Sequence, residues 1–251
     1  MRLAVQRLKM AVDLSAVFAK PFAEQLAYFS KKLALPSEHW DDLIAAGHDR
    51  GFIVAGAMKE DLVADLKTAI QTAIDEGKTI QAFRDEFENI VQKRGWTGWL
   101  GEGSADGIAW RTRIIYTTNL RTSYSAGRYA QMTDPEVLAS RPYWRYVHRS
   151  REHPRLSHKA WHNTVLPAQD PWFDTHFTPN GFGCKCIIEA INEREMKRLG
   201  KAKPDTAPDD GTYQHVVKRT GEVVTLPVGI QYGWDYAPGQ SVAEDIRRMA
   251  R

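Results

Sequence analysis

The chain has 251 residues, of which 43% are hydrophobic, and this is enough for a globular core in one large domain or two modest ones. Its two cysteines exclude a disulfide-dense secreted scaffold and favour a reducing, cytoplasmic compartment. The net charge of +3 is too weakly basic to indicate a nucleic-acid binder by itself. No apolar run is long enough for a membrane span, and charges interrupt the apolar runs of residues 1–20, so we expect no targeting segment.

The N-terminal part of the chain begins with a helical pattern. Pro21 suits the first turn of a helix that ends before Pro36. A second, short helix is expected from Ser37, as its N-cap, to Ala46. The apolar run 52–56 fits either a short strand or a buried turn, because periodicity does not separate the two.

Three longer helices follow. Apolar residues recur at three- and four-residue steps over 59–76 and again over 80–91, and these patterns predict two amphipathic helices. Gly77 and Gly95 are placed to end them. A glycine-rich loop leads into a long helix that we expect over 108–132.

After Pro142 the periodicity changes to the alternation of a strand, which we expect over 143–148. Further segments are expected as an irregular loop at 167–183, a strand at 184–190, a helix at 192–199, a linker at 200–211 and a hairpin around Thr220-Gly221. The predicted fold is therefore α+β. It has a mainly helical region (1–135), a small mixed module with short strands and a Cys/His-rich loop (136–199), and a linker with a C-terminal tail that packs on the module (200–251).

The candidate metal ligands are concentrated in residues 153–186, a segment that holds four of the eight histidines and both cysteines. In an extended segment Cys184 and Cys186 point to the same face, so their sulfurs can reach one tetrahedral ion. Zinc would need further Cys or His ligands, of which His158 is the strongest. The fourth ligand is open among His162, His176 and water, and the alternative to a metal is two buried thiols in a polar network.

Enzymatic chemistry at this segment has weaker support. The zincin pattern needs a glutamate where this chain has Lys159, so that signature fails. A cysteine nucleophile assisted by a histidine and by Asp170 or Asp174 stays open, but the paired cysteines favour a ligand or structural role.

A basic, aromatic stretch at 141–159 holds six Lys or Arg against one acid, Glu152. It fits either phosphate backbones with ring stacking or a charged protein–protein surface. Two further arginines interrupt the stripe of the long helix, as a solvated edge or as a face for anionic partners. The candidate nucleic-acid contacts are Arg121, Arg128, Arg145, Arg149 and Arg155.

Several sequence segments occur in a specific order, namely Gly51 to Gly56, Arg113 to Tyr129, Arg141 to Tyr146, His158 to Cys186, and Gly229 to Gly239. Together they resemble the phage head-morphogenesis family, the minor capsid proteins similar to protein F of bacteriophage Mu. The resemblance covers roughly residues 20–240.

This resemblance implies a non-enzymatic virion component, present in few copies, that acts at the portal vertex in head assembly and in DNA packaging or delivery. The implied partners are the portal protein and other capsid components, with phage DNA as a further candidate and no membrane. The implied locations are the head interior or portal vertex, and the host cytoplasm during assembly. The alternative function is a DNA-contacting protein, or a metal-dependent hydrolase or nuclease that uses the His/Cys segment.

The family also bears on the candidate metal and on the C-terminal end. Related members carry extra cysteines in the His-rich segment, and this chain has His158 at one such position, which supports one structural zinc per chain. Some relatives continue into a toxin-like enzymatic domain. Because this sequence ends twelve residues after Gly239, we expect no such domain here.

Overall fold

The computed structural model describes residues 22–149 and 152–249, so the expectations for Pro21 and for residues 1–20 lie outside the described residues. The fold is α+β, as the sequence predicts. The α-helices, in chain order, are α1 (Ala23–Ser30), α2 (Glu60–Glu76), α3 (Ile80–Arg94), α4 (Ala105–Met132), α5 (Pro135–Ser140), α6 (Leu156–Ala160), α7 (Trp172–His176), α8 (Glu193–Arg198) and α9 (Gln240–Met249). A 3-10 helix covers Ala45–Asp49. The strands are β1 (Leu33–Ala34), β2 (Gly51–Phe52), β3 (Tyr143–Val147), β4 (Val165–Pro167), β5 (Ile187–Ile191), β6 (Thr212–Val216) and β7 (Val223–Pro227).

The N-terminal helices form around the apolar stripes that the sequence shows. Leu62, Leu66 and Ile70 of α2 are buried against the aromatic residues of α3. The hydroxyl of Thr79 accepts the Ala82 N–H and so caps α3, which satisfies one of the free N–H groups at the helix start. The predictions of helices over 59–76, 80–91 and 108–132 are confirmed, with α4 beginning three residues earlier than expected.

The Cys/His-rich module is built on a three-stranded antiparallel sheet with strand order β4-β3-β5. In its register Tyr146 lies opposite Ile188 and Val147 lies opposite Ile187. The predicted strand at 143–148 is confirmed. The predicted strand at 184–190 begins only at Ile187, and the two cysteines before it contact His158 of α6 with their sulfurs.

The helix predicted to begin at Ser37 is wrong. The Ser37 N–H donates to the carbonyl of Ala57 in an isolated antiparallel bridge. The carboxylate of Asp42 accepts the N–H groups of residues 38 and 39, which stabilises a local turn in place of a helix. The only helical turn in this stretch is the later 3-10 helix Ala45–Asp49.

The segment predicted to be irregular, 167–183, contains the short helix α7. The Asp170 carboxylate accepts the Trp172 N–H, and the Asp170 carbonyl accepts the Phe173 N–H. These two bonds fold the segment into a helical turn that periodicity over five residues could not reveal.

The C-terminal part packs at two places. The hairpin of β6 and β7 is confirmed around Thr220-Gly221. Beyond it, Ile230 and Trp234 join the aromatic core of the module. Further on, the Gly239 N–H and the Ser241 hydroxyl donate to the buried carboxylate of Asp49, so the tail also contacts the helical region. The division into 1–135, 136–199 and 200–251 stays a prediction.

None of the described helices combines the length and apolar character that crossing a membrane requires.

Candidate metal centre

Three buried side chains converge at the Cys-x-Cys segment. His158 lies on α6, while Cys184 and Cys186 lie just before β5. Nδ1 of His158 is 3.7 Å from the sulfur of Cys184 and 3.7 Å from the sulfur of Cys186. The three ligand atoms all lie within 4.8 Å of one another, which makes this trio able to hold a metal ion.

The spacing of these atoms matches tetrahedral zinc. Zinc binds thiolate sulfur at about 2.3 Å and imidazole nitrogen at about 2.0 Å, which puts the nitrogen and sulfur roughly 3.5 Å apart across a tetrahedral angle. The observed 3.7 Å separations are close to that distance. Two thiolates and an imidazole are also ligands that zinc prefers, so the residues present fit this ion.

The ring of His158 is held in the orientation that a ligand needs. Its Nε2 lies 2.9 Å from the carbonyl oxygen of Gly229, so Nε2–H donates there and the Nδ1 lone pair faces the sulfurs. The ring also stacks on Trp161, with centroids 5.1 Å apart and an interplanar angle of 19°.

Gly229 makes this carbonyl contact sterically possible. Its φ of +94° lies in the left-handed region, and a Cβ there would lie 2.5 Å from the Trp161 ring. Sequence reasoning missed this residue because the contact uses a backbone carbonyl 71 positions away from His158, which leaves no side-chain signature.

The two thiols are electrostatically coupled. The hydrogen bond with the Cys186 thiol lowers the pKa of Cys184, and contact with His158 lowers it further. The same pairing, together with burial, raises the pKa of Cys186. One sulfur of the pair is therefore readily available as a thiolate, while the second needs a cation beside it to lose its proton.

The other two predicted ligands lie outside the trio. His162 is exposed, beyond the end of α6, and its Nδ1 accepts the backbone N–H of His148 at 3.2 Å. His176 stacks on Trp172, and its Nδ1 lies 2.9 Å from the Trp172 carbonyl. Burial lowers the pKa of His176 to about 4, so its ring is neutral near pH 7.

Two of the arginines that are candidate nucleic-acid contacts donate hydrogen bonds to the backbone of the segment around Cys184 and Cys186. Arg121 donates from Nη1 to the carbonyl of Cys184 at 3.1 Å. Arg155 donates from Nη2 to the carbonyl of Phe182 at 2.7 Å. Both guanidinium groups thus satisfy carbonyls of the segment that carries the thiols.

The remaining three arginines differ in their surroundings. Arg145 is bound to Asn163 and to the carboxylate of Glu189 across the sheet. Arg128 donates to a glutamine on its own helix, and Arg149 is exposed. The structure therefore does not gather the five arginines into one surface.

Comparisons with known proteins give the family. The sequence model described as "Phage Mu protein F like protein" matches residues 64–189. A protein of Escherichia phage Mu, named "Putative capsid assembly protein F", is 32% identical over 259 aligned positions, which cover 93% of this chain and 57% of that protein. The chain belongs to the Phage Mu protein F like family. The Mu-like prophage FluMu F protein of Haemophilus influenzae is 30% identical over 220 positions, covering 81% of this chain and 53% of that protein.

The chain spans a little over half the length of these Mu F relatives. No solved structure matches it significantly. The Mu F-like match includes His158, Cys184 and Cys186, and so it includes the whole trio, whereas it ends before the hairpin and the tail.

Proposed function

We propose that the chain is a minor capsid, or head morphogenesis, protein of a tailed phage or prophage. In this proposal it acts at the portal vertex, in head assembly and in DNA packaging or delivery. The observation that carries the proposal is the match to the phage Mu capsid assembly relative along 93% of this chain. Its partners would be the portal protein and other capsid components, with phage DNA as a further candidate. It would reside in the virion, in the head interior or at the portal vertex, after assembly in the host cytoplasm.

The test is to remove the chain from the phage or prophage that encodes it and to purify the particles. We expect few or defective heads, and complemented heads should contain the chain in a low copy number relative to the major capsid protein. Cross-linking in complemented heads should join it to the portal protein. Normal heads without the chain, or a copy number equal to that of the major capsid protein, would contradict the proposal.

The role proposed for the trio is to hold one structural zinc ion per chain through His158, Cys184 and Cys186. A bound zinc would cross-link α6 to the segment before β5 and so fix the loop between them. The protein side chains then position and shield the ion, because Trp161 and Tyr146 pack against the His158 ring.

A second surface supports contact with another protein. A cavity of about 700 Å³ opens beside α4, and its walls are mostly apolar. Its lining includes three large exposed side chains, Trp40, Leu100 and Trp110. Exposed apolar clusters of this kind mark interaction sites more often than isolated surface residues do. We infer that a capsid partner covers this cavity.

This surface has a matched control on the same helix. Trp110 is 44% exposed at the cavity, and Tyr124 is 47% exposed about four turns further along α4, outside the cavity lining. Trp110→Ala should reduce incorporation into heads while Tyr124→Ala leaves it near the wild-type level. Equal incorporation of both variants would exclude the cavity as the contact surface.

One observation supports the alternative functions, which are DNA contact and metal-dependent hydrolysis. A second cavity, of about 550 Å³, is lined by Arg121, Arg128 and Lys185 beside the two cysteines, and such a site could accept a phosphate group. A DNA-contacting protein should show affinity that falls steeply with salt. A metal-dependent hydrolase or nuclease should lose turnover, but not folding, in His158→Ala. Salt-independent binding and no cleavage would remove both alternatives.

A further inference from the structure

The sheet register places one more histidine beside the trio. Along β3 and β5, Tyr146 lies opposite Ile188 and Val147 lies opposite Ile187. The ladder ends at this pair, and one further step in the same antiparallel register would place His148 opposite Cys186. Directly opposite residues have Cβ atoms about 4.5–5.5 Å apart, which is close enough for both side chains to reach one ion.

The alternation of side chains puts His148 on the correct face. Trp144 and Tyr146 point into the aromatic core that also contains Cys184 and Cys186. Because side chains alternate along a strand, residue 148 points to the same side as these two. The His148 side chain is accordingly half-buried, whereas its neighbour Arg149 is exposed.

An independent contact shows that the chain stays beside Cys186 after β3 ends. The backbone N–H of Arg149 hydrogen-bonds the Cys186 thiol. His148 also interacts electrostatically with His158 and Cys184, and burial is the main reason that its pKa is lowered. His148 is thus close to the trio, although its nitrogens are not among the ligand atoms that lie within 4.8 Å of one another.

The competing histidine is held by a different bond. His162 follows α6, and its Nδ1 accepts the backbone N–H of His148. That lone pair is therefore occupied, and the ring is exposed. Within the described residues, the ring nitrogens of His148 make no hydrogen bond, and the residue lies on the buried side of the sheet.

Structural zinc sites almost always take four protein ligands in tetrahedral geometry, whereas the trio supplies three. We propose that His148 is the fourth ligand, reached by rotation of its side chain toward Cys186, so that the centre has two thiolates and two imidazoles. This inference rests on the proposed structural zinc. The resulting charge balance is neutral, since two thiolates offset the two positive charges of zinc, and this suits a buried position.

The experiment uses the full chain loaded with Co²⁺, whose visible spectrum reports both the number of ligands and the presence of sulfur. His148→Ala should keep sulfur-to-cobalt charge transfer but change the d–d bands, as water replaces a nitrogen. Zinc affinity should fall by more than the roughly 10- to 100-fold that changes in outer-shell partners cause. The matched control, His162→Ala, should leave the spectrum and the affinity unchanged.

A second variant distinguishes the loss of a metal ligand from misfolding of the chain. His148→Cys should restore four-coordinate cobalt and increase the sulfur-to-cobalt charge transfer, because a third thiolate joins the centre. This gain requires position 148 to lie at the metal, so a structural role for the histidine would not produce it.

The outcomes separate the two proposals. A wild-type chain that binds neither Zn²⁺ nor Co²⁺ contradicts the structural zinc, and the fourth ligand fails with it. Wild-type metal binding with sulfur ligands, together with unchanged spectra in both His148 variants, overturns only the assignment of His148. A changed spectrum in His162→Ala but not in His148→Ala assigns the fourth position to His162 instead.

Discussion

Asp49 is the buried carboxylate that ties the tail to the helical region, and its removal should destabilise the protein strongly. Its Oδ1 accepts the Tyr28 hydroxyl at 2.8 Å and the Gly239 N–H at 2.9 Å, and its Oδ2 accepts the Ser241 hydroxyl at 2.8 Å. Asp49 also interacts electrostatically with buried Lys32, whose pKa burial lowers to about 8. Asp49→Ala breaks all of these interactions at once.

The expected loss follows from these contacts. A hydrogen bond to a charged group contributes about 1.5–3 kcal/mol, but three bonds to one carboxylate are not additive. Breaking a buried charge pair costs about 3–5 kcal/mol, because the remaining charge is left uncompensated. We therefore expect Asp49→Ala to lower the free energy of unfolding by about 4 kcal/mol. Asp49→Asn keeps the shape and one acceptor oxygen, so its loss should be about half as large.

The assay is urea unfolding of the full chain at pH 7, with proteolysis as a second readout. Asp49→Ala should expose the tail beyond Gly239 to protease before the rest of the chain. In a double-mutant cycle, Lys32→Met should cost less in the Asp49→Ala background than in the wild type, because the uncompensated charge has been removed. An Asp49→Ala variant within about 1 kcal/mol of the wild type would refute the reasoning, since a single surface change is usually within about 0.5 kcal/mol.

Three further predictions concern the module. Cys184→Ser with Cys186→Ser should abolish stoichiometric zinc in elemental analysis, lower the Tm and loosen the loop before the cysteines; an unchanged melting curve with the serines and with a chelator would contradict the structural zinc. His176, whose pKa is about 4 in the folded chain, binds its proton more readily when unfolded, so stability should decline as pH falls from about 6.5 to 4, by up to roughly 3 kcal/mol. His176→Asn, which can keep the bond to the Trp172 carbonyl, should flatten that decline, and an equally steep curve would exclude this histidine as its cause. Gly229→Ala should destabilise more than Gly221→Ala, because both positions have positive φ but only the first would place its Cβ against a ring; equal losses in thermal unfolding would contradict the steric argument.

The sequence predicts those elements whose determinants are local. The stripes of α2 and α3 and the cap at Thr79 all lie within a few residues of the structure that they specify. The helix expected from Ser37 does not form, because the Asp42 carboxylate holds the N–H groups of residues 38 and 39 and the distant Ala57 carbonyl holds the Ser37 N–H. A pattern of neighbouring residues cannot reveal the hydrogen bond to a residue as far along the chain as Ala57.

The same distinction between local and distant determinants applies to the candidate metal centre. The spacing of Cys184 and Cys186 is a local signal, and with His158 it gives the trio that the structure brings together. The four-residue spacing makes His162 a candidate ligand, because a continuous helix would place it on the face of His158. However, α6 ends at Ala160, so the four-residue spacing no longer puts the two rings side by side.

The arginines show that composition alone does not reveal which groups a basic segment contacts. The excess of Lys and Arg at 141–159 is compatible with phosphate binding on a surface. In the folded chain, Arg155 instead reaches Phe182, and Arg121 of α4 reaches Cys184. The segment before β5 makes no ladder with another strand at these positions, so its carbonyls need donors from side chains. Arginine supplies several N–H donors at a fixed geometry and keeps its charge when partly buried. The positive charge in this part of the chain therefore helps to hold the Cys-x-Cys segment in place, and Arg121→Lys or Arg155→Lys should weaken zinc binding at the proposed centre before they weaken any binding of DNA.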